Sequence, residues 1–491
     1  MADPIVGMYI HQHWAYGHPY CARTWTSEDW AGYLDALHRL GFNTILIWPV
    51  LETMPDPLTE SDVAALNRAA GAIDLAHERF GMTVHIALCP NVAAKDDAAS
   101  KWRFEERSFF HSDCRVDPAD SAAVRAMVDR RERVLTPLAA MDGLVIIDSD
   151  PGGYAGSTAE EFVDLLGAHR QMLDRVRPGI ELINWIHAGW EAYCEFYSTG
   201  EFRMGTQEEI EHQVRLLSQL DPEPWGLAIS GRPTIVDDTG CADRVIHYAY
   251  GAIEWEPAFP RTTLRRDMAY EAGLTHAARG VMGNAQTHCA QLPNTFIFSR
   301  GALGLPLTDD ALIQFAEDLI PAHGELVLRG WEALDGQDPG AADALAAQLD
   351  SAAEAEPETG PLRGMLFGSA PRFLRDLAAQ LRMSAATCRA LTVAPSSGHS
   401  RSDFRAALGA LLDSWEAWQR RHGYRCRVSW PEVLEALSEL GSPSIDRMLR
   451  RAAQFRGDGD TPYERLHSHL REAESETPRL IEAARHALGD V

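Results

Sequence analysis

The stretch Asp142-Gly143-Leu144-Val145-Ile146-Ile147-Asp148-Ser149-Asp150-Pro151-Gly152-Gly153 decides how the chain is read. Four consecutive apolar residues, Leu144 to Ile147, sit between turn formers, the pattern of a short strand buried on both faces. Pro151 stops the strand. Asp148 and Asp150 come just before the stop, two residues apart and therefore on one side of an extended chain, about 6.6 Å from each other at about 3.3 Å per residue. Gly152 and Gly153 free the backbone to turn and let another group approach closely. Carboxylates at such a strand end either cap the helix expected from Thr158 or serve chemistry, and the choice depends on what the rest of the chain places beside them.

Outward from this strand the same unit repeats. Strands are expected at Ile5–Ile10, Thr44–Val50 and Thr83–Leu88 before it, and at Glu181–Ile186, Gly226–Ser230, Arg244–Tyr250 and Gly280–Met282 after it. Amphipathic helical stretches separate them: one opened by Ser27 and closed by Gly41, one over Ser61–Phe80, and others over Ser121–Leu135, Thr158–Val176 and Gln207–Leu220. Strands alternating with helices imply a parallel sheet, and eight of them imply a closed (β/α)8 or TIM barrel over residues 1–305. From residue 306 to 491 the chain turns rich in Ala, Leu, Glu and Arg. Helices are expected over Thr308–Ala333, Pro339–Glu354, Ala370–Leu391, Ser402–His422, Ser429–Leu440 and Thr461–Ala487, an all-α domain following the α/β barrel.

Composition narrows the partners. The net charge of -26 argues against nucleic acid and against an anionic membrane, both of which need basic patches. No apolar run is long enough to span a bilayer. The N-terminus enters a strand without a basic, apolar leader, so a cytoplasmic location is expected. Eight cysteines (Cys21, Cys89, Cys114, Cys194, Cys241, Cys289, Cys388, Cys426) are scattered without CxxC spacing, which suits a reducing compartment and supplies no zinc motif.

In a barrel of this class chemistry collects at the C-terminal strand ends. Strand 1 ends in His11, His13 and Trp14; strand 2 in Trp48 and Glu52; strand 3 in Asn91; strand 4 in Asp148 and Asp150. Strand 5 ends in His187 and Trp190, strand 6 in Arg232, strand 7 in Glu254, Trp255 and Glu256, and strand 8 in Asn284, Gln286 and His288. Each residue alone is as well explained by packing or by loop hydrogen bonding. Together they describe a polar pocket with aromatic walls, suited to a sugar ring with apolar C–H faces and a hydroxyl rim. Glycosidic hydrolysis needs one protonated carboxyl and a second carboxylate. Asp148 with Asp150 is one candidate pair, and Asp150 with Glu254 or Glu256 across the mouth is the other.

The barrel half resembles the (β/α)8 glycoside hydrolases related to the β-N-acetylhexosaminidases of families 20 and 84 and the α-glucuronidases of family 67. The resemblance rests on Gly7-Met8-Tyr9, on the Trp30–Gly41 helix leading into Asn43-Thr44, and on the strand 4 carboxylates. It implies that Asp150 is the general acid and that Asp148 steadies an N-acetyl group acting as nucleophile. Ser149 separates the two acids here, as in chitinase-type barrels.

The expected activity is therefore an exo-acting glycoside hydrolase, β-N-acetylhexosaminidase-like or α-glucuronidase-like, on a small oligosaccharide or glycoside. No cofactor or metal is required, and the helical domain offers a surface for a homo-oligomer. Arg232, if turned into the pocket, would suit a carboxylated sugar; a structural role suits it equally. Two other classes stand beside this one. His11-x-His13 with His187 matches the first ligands of a metal-dependent amidohydrolase-type barrel, although strand 6 ends in Ser230-Gly231-Arg232 without a histidine. A non-catalytic carbohydrate-binding barrel would use the same aromatics.

Overall fold

The computed structural model describes residues 3–12, 17–107, 114–149, 152–249, 278–285, 289–336, 338–423, 431–453 and 479–489. Eight strands form the barrel: β1 (Ile5–His11), β2 (Thr44–Trp48), β3 (Thr83–Leu88), β4 (Gly143–Ile147), β5 (Glu181–Ile186), β6 (Trp225–Ser230), β7 (Val245–Tyr248) and β8 (Gly280–Ala285). They close in the order β1-β8-β7-β6-β5-β4-β3-β2, with every pair parallel. Strands covered on both faces are largely apolar, which is why they read as short apolar runs in the sequence, interrupted by single polar residues such as His85, Asn184 and His247.

The helices α1 (Ser27–Arg39), α2 (Glu60–Leu75), α4 (Ala159–Val176) and α6 (Gln207–Leu220) share one starting device, a threonine capping box: Thr26 with Asp29, Thr59 with Asp62, Thr158 with Glu161 and Thr206 with Glu209. The cap of α1 is thus Thr26, not Ser27. The helix α3 (Ser121–Leu135) is capped by Asp120. A further helix that the pattern did not announce, α5 (Trp190–Thr199), follows β5 directly. Strand β2 stops at Trp48, short of Val50, because Val50 adopts the left-handed conformation (φ 47°) and starts the tight turn Leu51–Thr53 that delivers Glu52. Strand β8 runs on to Ala285, so Asn284 lies within it.

The barrel interior is filled. Tyr9 on β1 and Trp185 on β5 belong to strands on opposite sides of the ring, yet their rings meet edge to face at 5.5 Å. Trp48 stacks on Tyr9 at 6.2 Å, and Tyr248 meets Trp185 at 4.6 Å. These four buried aromatics come from the C-terminal halves of their strands and floor the mouth. Toward the other end, the Arg279 guanidinium pairs with Glu181 at 2.6 and 2.9 Å. Only glycine leaves room beneath that pair. A Cβ on Gly226 would fall on the Arg279 guanidinium and within 2.5 Å of Glu181 Oε1. Gly226→Ala is therefore expected to cost about 1–3 kcal/mol, read as a lower urea midpoint at unchanged slope; an unmoved midpoint would mean the pair swings aside freely.

Beyond the barrel come α7 (Leu292–Ala302), α8 (Asp309–Leu319), α9 (Gly324–Asp335), α10 (Pro339–Glu354), α11 (Ala370–Thr392), α12 (Arg401–His422), α13 (Pro431–Ser438) and α14 (Pro443–Ala453), with residues 479–489 also helical. The single helix expected over Thr308–Ala333 is two, α8 and α9. Pro321, Ala322 (φ 65°) and Gly324 break it. One apolar core runs from the barrel through Phe315, Trp331, Leu345, Phe373 and Leu377. A second core joins the end of α11 to α12, α13 and α14, and it includes Tyr20 and Cys21 from the segment that follows β1.

Candidate active site

Asp148 ends β4 and is fully buried. Its Oδ1 accepts from the backbone N–H of His187 (3.0 Å) and Ala188 (3.2 Å), and its Oδ2 from that of Gly189 (2.7 Å). These amides form the turn from β5 into α5, so the carboxylate ties the end of β4 to the turn that leads into the next helix, whose first amide, the Trp190 N–H, donates to Gln213 Oε1 at 3.2 Å. Burial pushes its pKa up, against the pull of His187 and of the three amides. Both oxygens serve the turn; the pairing of Asp148 with Asp150 as two free carboxylates is corrected to that extent.

The chain beyond Asp148 is held as firmly. Arg115 Nη1 donates to the Gly152 carbonyl and, at 2.9 Å, to that of Gly153. Its Nη2 donates to the Tyr197 hydroxyl at 2.9 Å, with the guanidinium 4.1 Å over the Tyr197 ring. Asn91 Nδ2 donates to Gly153 O and to Val116 O, both at 2.9 Å. Gly153 has φ 81°, and a Cβ there would lie 2.9 Å from Tyr197 Cε2; a Cβ on Gly152 would lie 2.7 Å from Pro90 Cγ. Neither glycine tolerates a side chain. Residues 150 and 151 lie outside the described residues, but the chain on both sides of them is fixed by six hydrogen bonds.

Glu52 is also buried, 4% exposed, and burial raises its pKa. It accepts from the Cys89 backbone N–H and, at 3.4 Å, from Trp48 Nε1. It therefore ties the end of β2 to the end of β3. The segment after β3 that carries Asn91 is gripped by Arg131, whose buried guanidinium donates to the carbonyls of Cys89 (2.7 Å), Pro90 (2.8 Å) and Val92 (3.0 Å). Burial brings the Arg131 pKa down to about 10. His169 Nε2 lies 2.7 Å from Arg131 Nη1, and its Nδ1 lies 2.7 Å from Leu165 O. A neutral imidazole protonated at Nδ1 satisfies both contacts.

The other expected site residues divide. Trp48 belongs to the floor. His187 stands at the end of β5, with Nδ1 3.5 Å from Ser230 Oγ, and that hydroxyl also accepts from Trp185 Nε1 at 2.8 Å. Trp190 is corrected: it is fully buried, stacks on Phe162 at 4.5 Å and donates Nε1 to Ser157, so it is core and not pocket wall. Arg232 is exposed and donates to Gly205 O at 3.1 Å, a loop contact. His11 and Asn284 are placed by their backbones within β1 and β8. His13, Trp14, Asp150, Glu254, Trp255, Glu256, Gln286 and His288 lie outside the described residues. Sequence reasoning missed Arg115, Arg131 and Tyr248, and local pattern carries no signal for the two arginines. Two buried polar atoms at the mouth, Ser149 Oγ and the Tyr248 hydroxyl, have no partner among the described residues.

The buried imidazoles make the fold acid-sensitive. Burial and the Arg131 charge lower the His169 pKa to about 3, and burial lowers those of His85 and His422 to about 4. An unfolded histidine titrates near ~6.5. Below that pH the unfolded chain takes up protons that the native rings refuse. The stability these rings supply is thus present above ~6.5 and lost as pH falls toward 4, at up to ~1.4 kcal/mol per pH unit for each ring. His169→Gln, whose amide oxygen still accepts from Arg131, should flatten the fall in urea midpoint between pH 7 and pH 5; an identical fall in the variant would remove His169 as its source.

The chain is thus a (β/α)8-barrel protein with a carboxylate-bearing turn clamped at its mouth. No family model matches it, and no curated protein matches it in sequence. Solved structures to which it is similar include a beta-mannanase from the blue mussel Mytilus edulis, at 9% identity over 61% of this chain and 90% of that one, TM-score 0.37. An old yellow enzyme homologue from Zymomonas mobilis aligns at 12% identity over 62% and 96%, TM-score 0.35. An endo-beta-N-acetylglucosaminidase from Cordyceps militaris aligns at 10% over 62% and 91%, TM-score 0.34. Likeness at that level carries no argument about this chain, and the barrel stands on its own strand pairing.

Proposed function

We propose that this protein is an exo-acting glycoside hydrolase in which Asp150 protonates the leaving oxygen and Glu254 or Glu256, after β7, is the second carboxylate. The observation that carries the reading is the clamped turn from Asp148 to Gly153. A general acid must be held within hydrogen-bond reach of one atom of the substrate, and the hydrogen bonds to Asp148, Gly152 and Gly153 hold the chain on either side of residue 150. Asp148 acts here by position, holding the turn from β5 into α5. The aromatic floor of Tyr9, Trp48, Trp185 and Tyr248 supports a sugar face, and the unpartnered Ser149 and Tyr248 hydroxyls suit a sugar's hydroxyl rim. β-N-acetylhexosaminides are the first substrates to try, and glucuronides the second.

The test is a panel of aryl glycosides in both anomers, with and without chelator, the first-formed product anomer being followed by NMR. Chelator-insensitive release supports the reading. Retention would then place the two carboxyls about 5–5.5 Å apart and inversion about 6.5–9.5 Å. Silence across the panel, together with hydrolysis of an amide or ester that chelator abolishes, would replace it with a metal-dependent hydrolase.

A further inference from the structure

The helical domain reaches the barrel at the segments that follow β1 and β8. Tyr20, nine residues past His11, donates its hydroxyl to Asp376 Oδ2 of α11 at 2.5 Å. Asp376 is 1% exposed, and its Oδ1 accepts from Arg421 of α12 at 3.1 Å. The Tyr20 ring stacks on His422 at 5.5 Å, and the Gly17 N–H donates to His422 O at 2.9 Å. After β8, Trp331 of α9 donates Nε1 to Cys289 O at 2.9 Å. The Cys289 thiol in turn lies against Tyr20. One buried carboxylate of the helical domain therefore stands at the junction of the two barrel segments that carry His13 and Trp14 on one side and Gln286 and His288 on the other.

A surface-docked appendage would need none of this. A buried charge with two specific donors is costly to form and fixes the geometry of whatever it joins. The barrel side of the same segment is also tied: Arg23 donates to Gln12 O, to Arg107 O and, at 3.3 Å, to Phe104 O. The segment after β1 is thus held between the helical domain and the segment that follows β3.

We propose that the helical domain is part of the catalytic unit, with Asp376 as a positioning residue that sets the barrel mouth through Tyr20. The activity arm of its test rests on the glycosidase reading; the structural arm does not. Tyr20→Phe keeps the ring and deletes the hydroxyl, and Asp376→Ala removes the acceptor. In each full-length variant, amide hydrogen exchange over residues 12–24 and 286–291 is expected to accelerate roughly tenfold or more while α10 keeps its protection. On the glycoside the wild type prefers, kcat should fall at least several-fold more than KM rises. If Asp376→Ala does not fold, Tyr20→Phe decides alone. Unchanged exchange in both segments, or acceleration spread evenly over the chain, overturns the proposal. Should the wild type cleave no glycoside, the glycosidase reading fails by itself and the exchange data still decide this one.

Discussion

Asp150→Asn is expected to lower kcat on the preferred aryl glycoside by roughly 10²–10⁴-fold, with KM and the urea midpoint close to those of the wild type. An amide cannot supply the proton that a leaving alkoxide needs. Folding should not suffer, because the turn around residue 150 is held through Asp148, Gly152 and Gly153. The size of the loss should follow the leaving group. A dinitrophenolate leaves without help, so that substrate should lose little in the steps up to bond cleavage; a methylumbelliferyl or alkyl glycoside should lose the full factor. The alkaline limb that the general acid contributes to the pH profile, where activity falls as the acid loses its proton, should vanish in the variant. Equal losses on every leaving group would make Asp150 a nucleophile or base instead, and no loss on any would remove it from the chemistry.

How much of this was legible from the sequence depends on whether the deciding contact is local. All eight strands could be read because a parallel strand covered on both faces is mostly apolar, and the starts of the helices between them could be read to within a residue or so because start signals are local, although the capping boxes were not: Thr26, not Ser27, caps α1. Helix α5 could not. Its N-cap is Gly189, which offers no side chain, and the turn before it is held by Asp148, some forty residues earlier at the end of another strand. The same blindness made Trp190 look like a pocket wall, since its stacking partner Phe162 lies on α4. It also hid Arg115 and Arg131, whose acceptors are backbone carbonyls of distant turns and leave no mark in composition. Among the described residues the polar ends of β2, β3, β4 and β5 were readable; which of them face a substrate and which hold the mouth together was not.

Asp148 is where that distinction has the largest energetic consequence. Asp148→Ala leaves three N–H groups of the β5–α5 turn, two of them buried, without an acceptor, at about 1–3 kcal/mol each, and removes a carboxyl from beside the N-terminus of α5. Because neighbouring losses do not add fully, a total of about 3–5 kcal/mol is expected, read as a large fall in urea midpoint. Asp148→Asn keeps one acceptor oxygen and should lose less. The pH dependence tests the cause. Burial holds the native Asp148 pKa above its unfolded value, so the wild type loses part of this residue's contribution as pH rises through and beyond ~3.9, where the unfolded carboxyl ionises. The alanine variant has no such loss. The stability gap between the two should therefore be widest in acid and narrow toward neutral pH. A gap that widens with pH would mean that the three amides and His187 outweigh desolvation and that the carboxylate is bound as a full anion. A gap near zero at every pH would mean that the β5–α5 turn stands without Asp148, and the clamp on which the placement of Asp150 rests would lose one of its two sides.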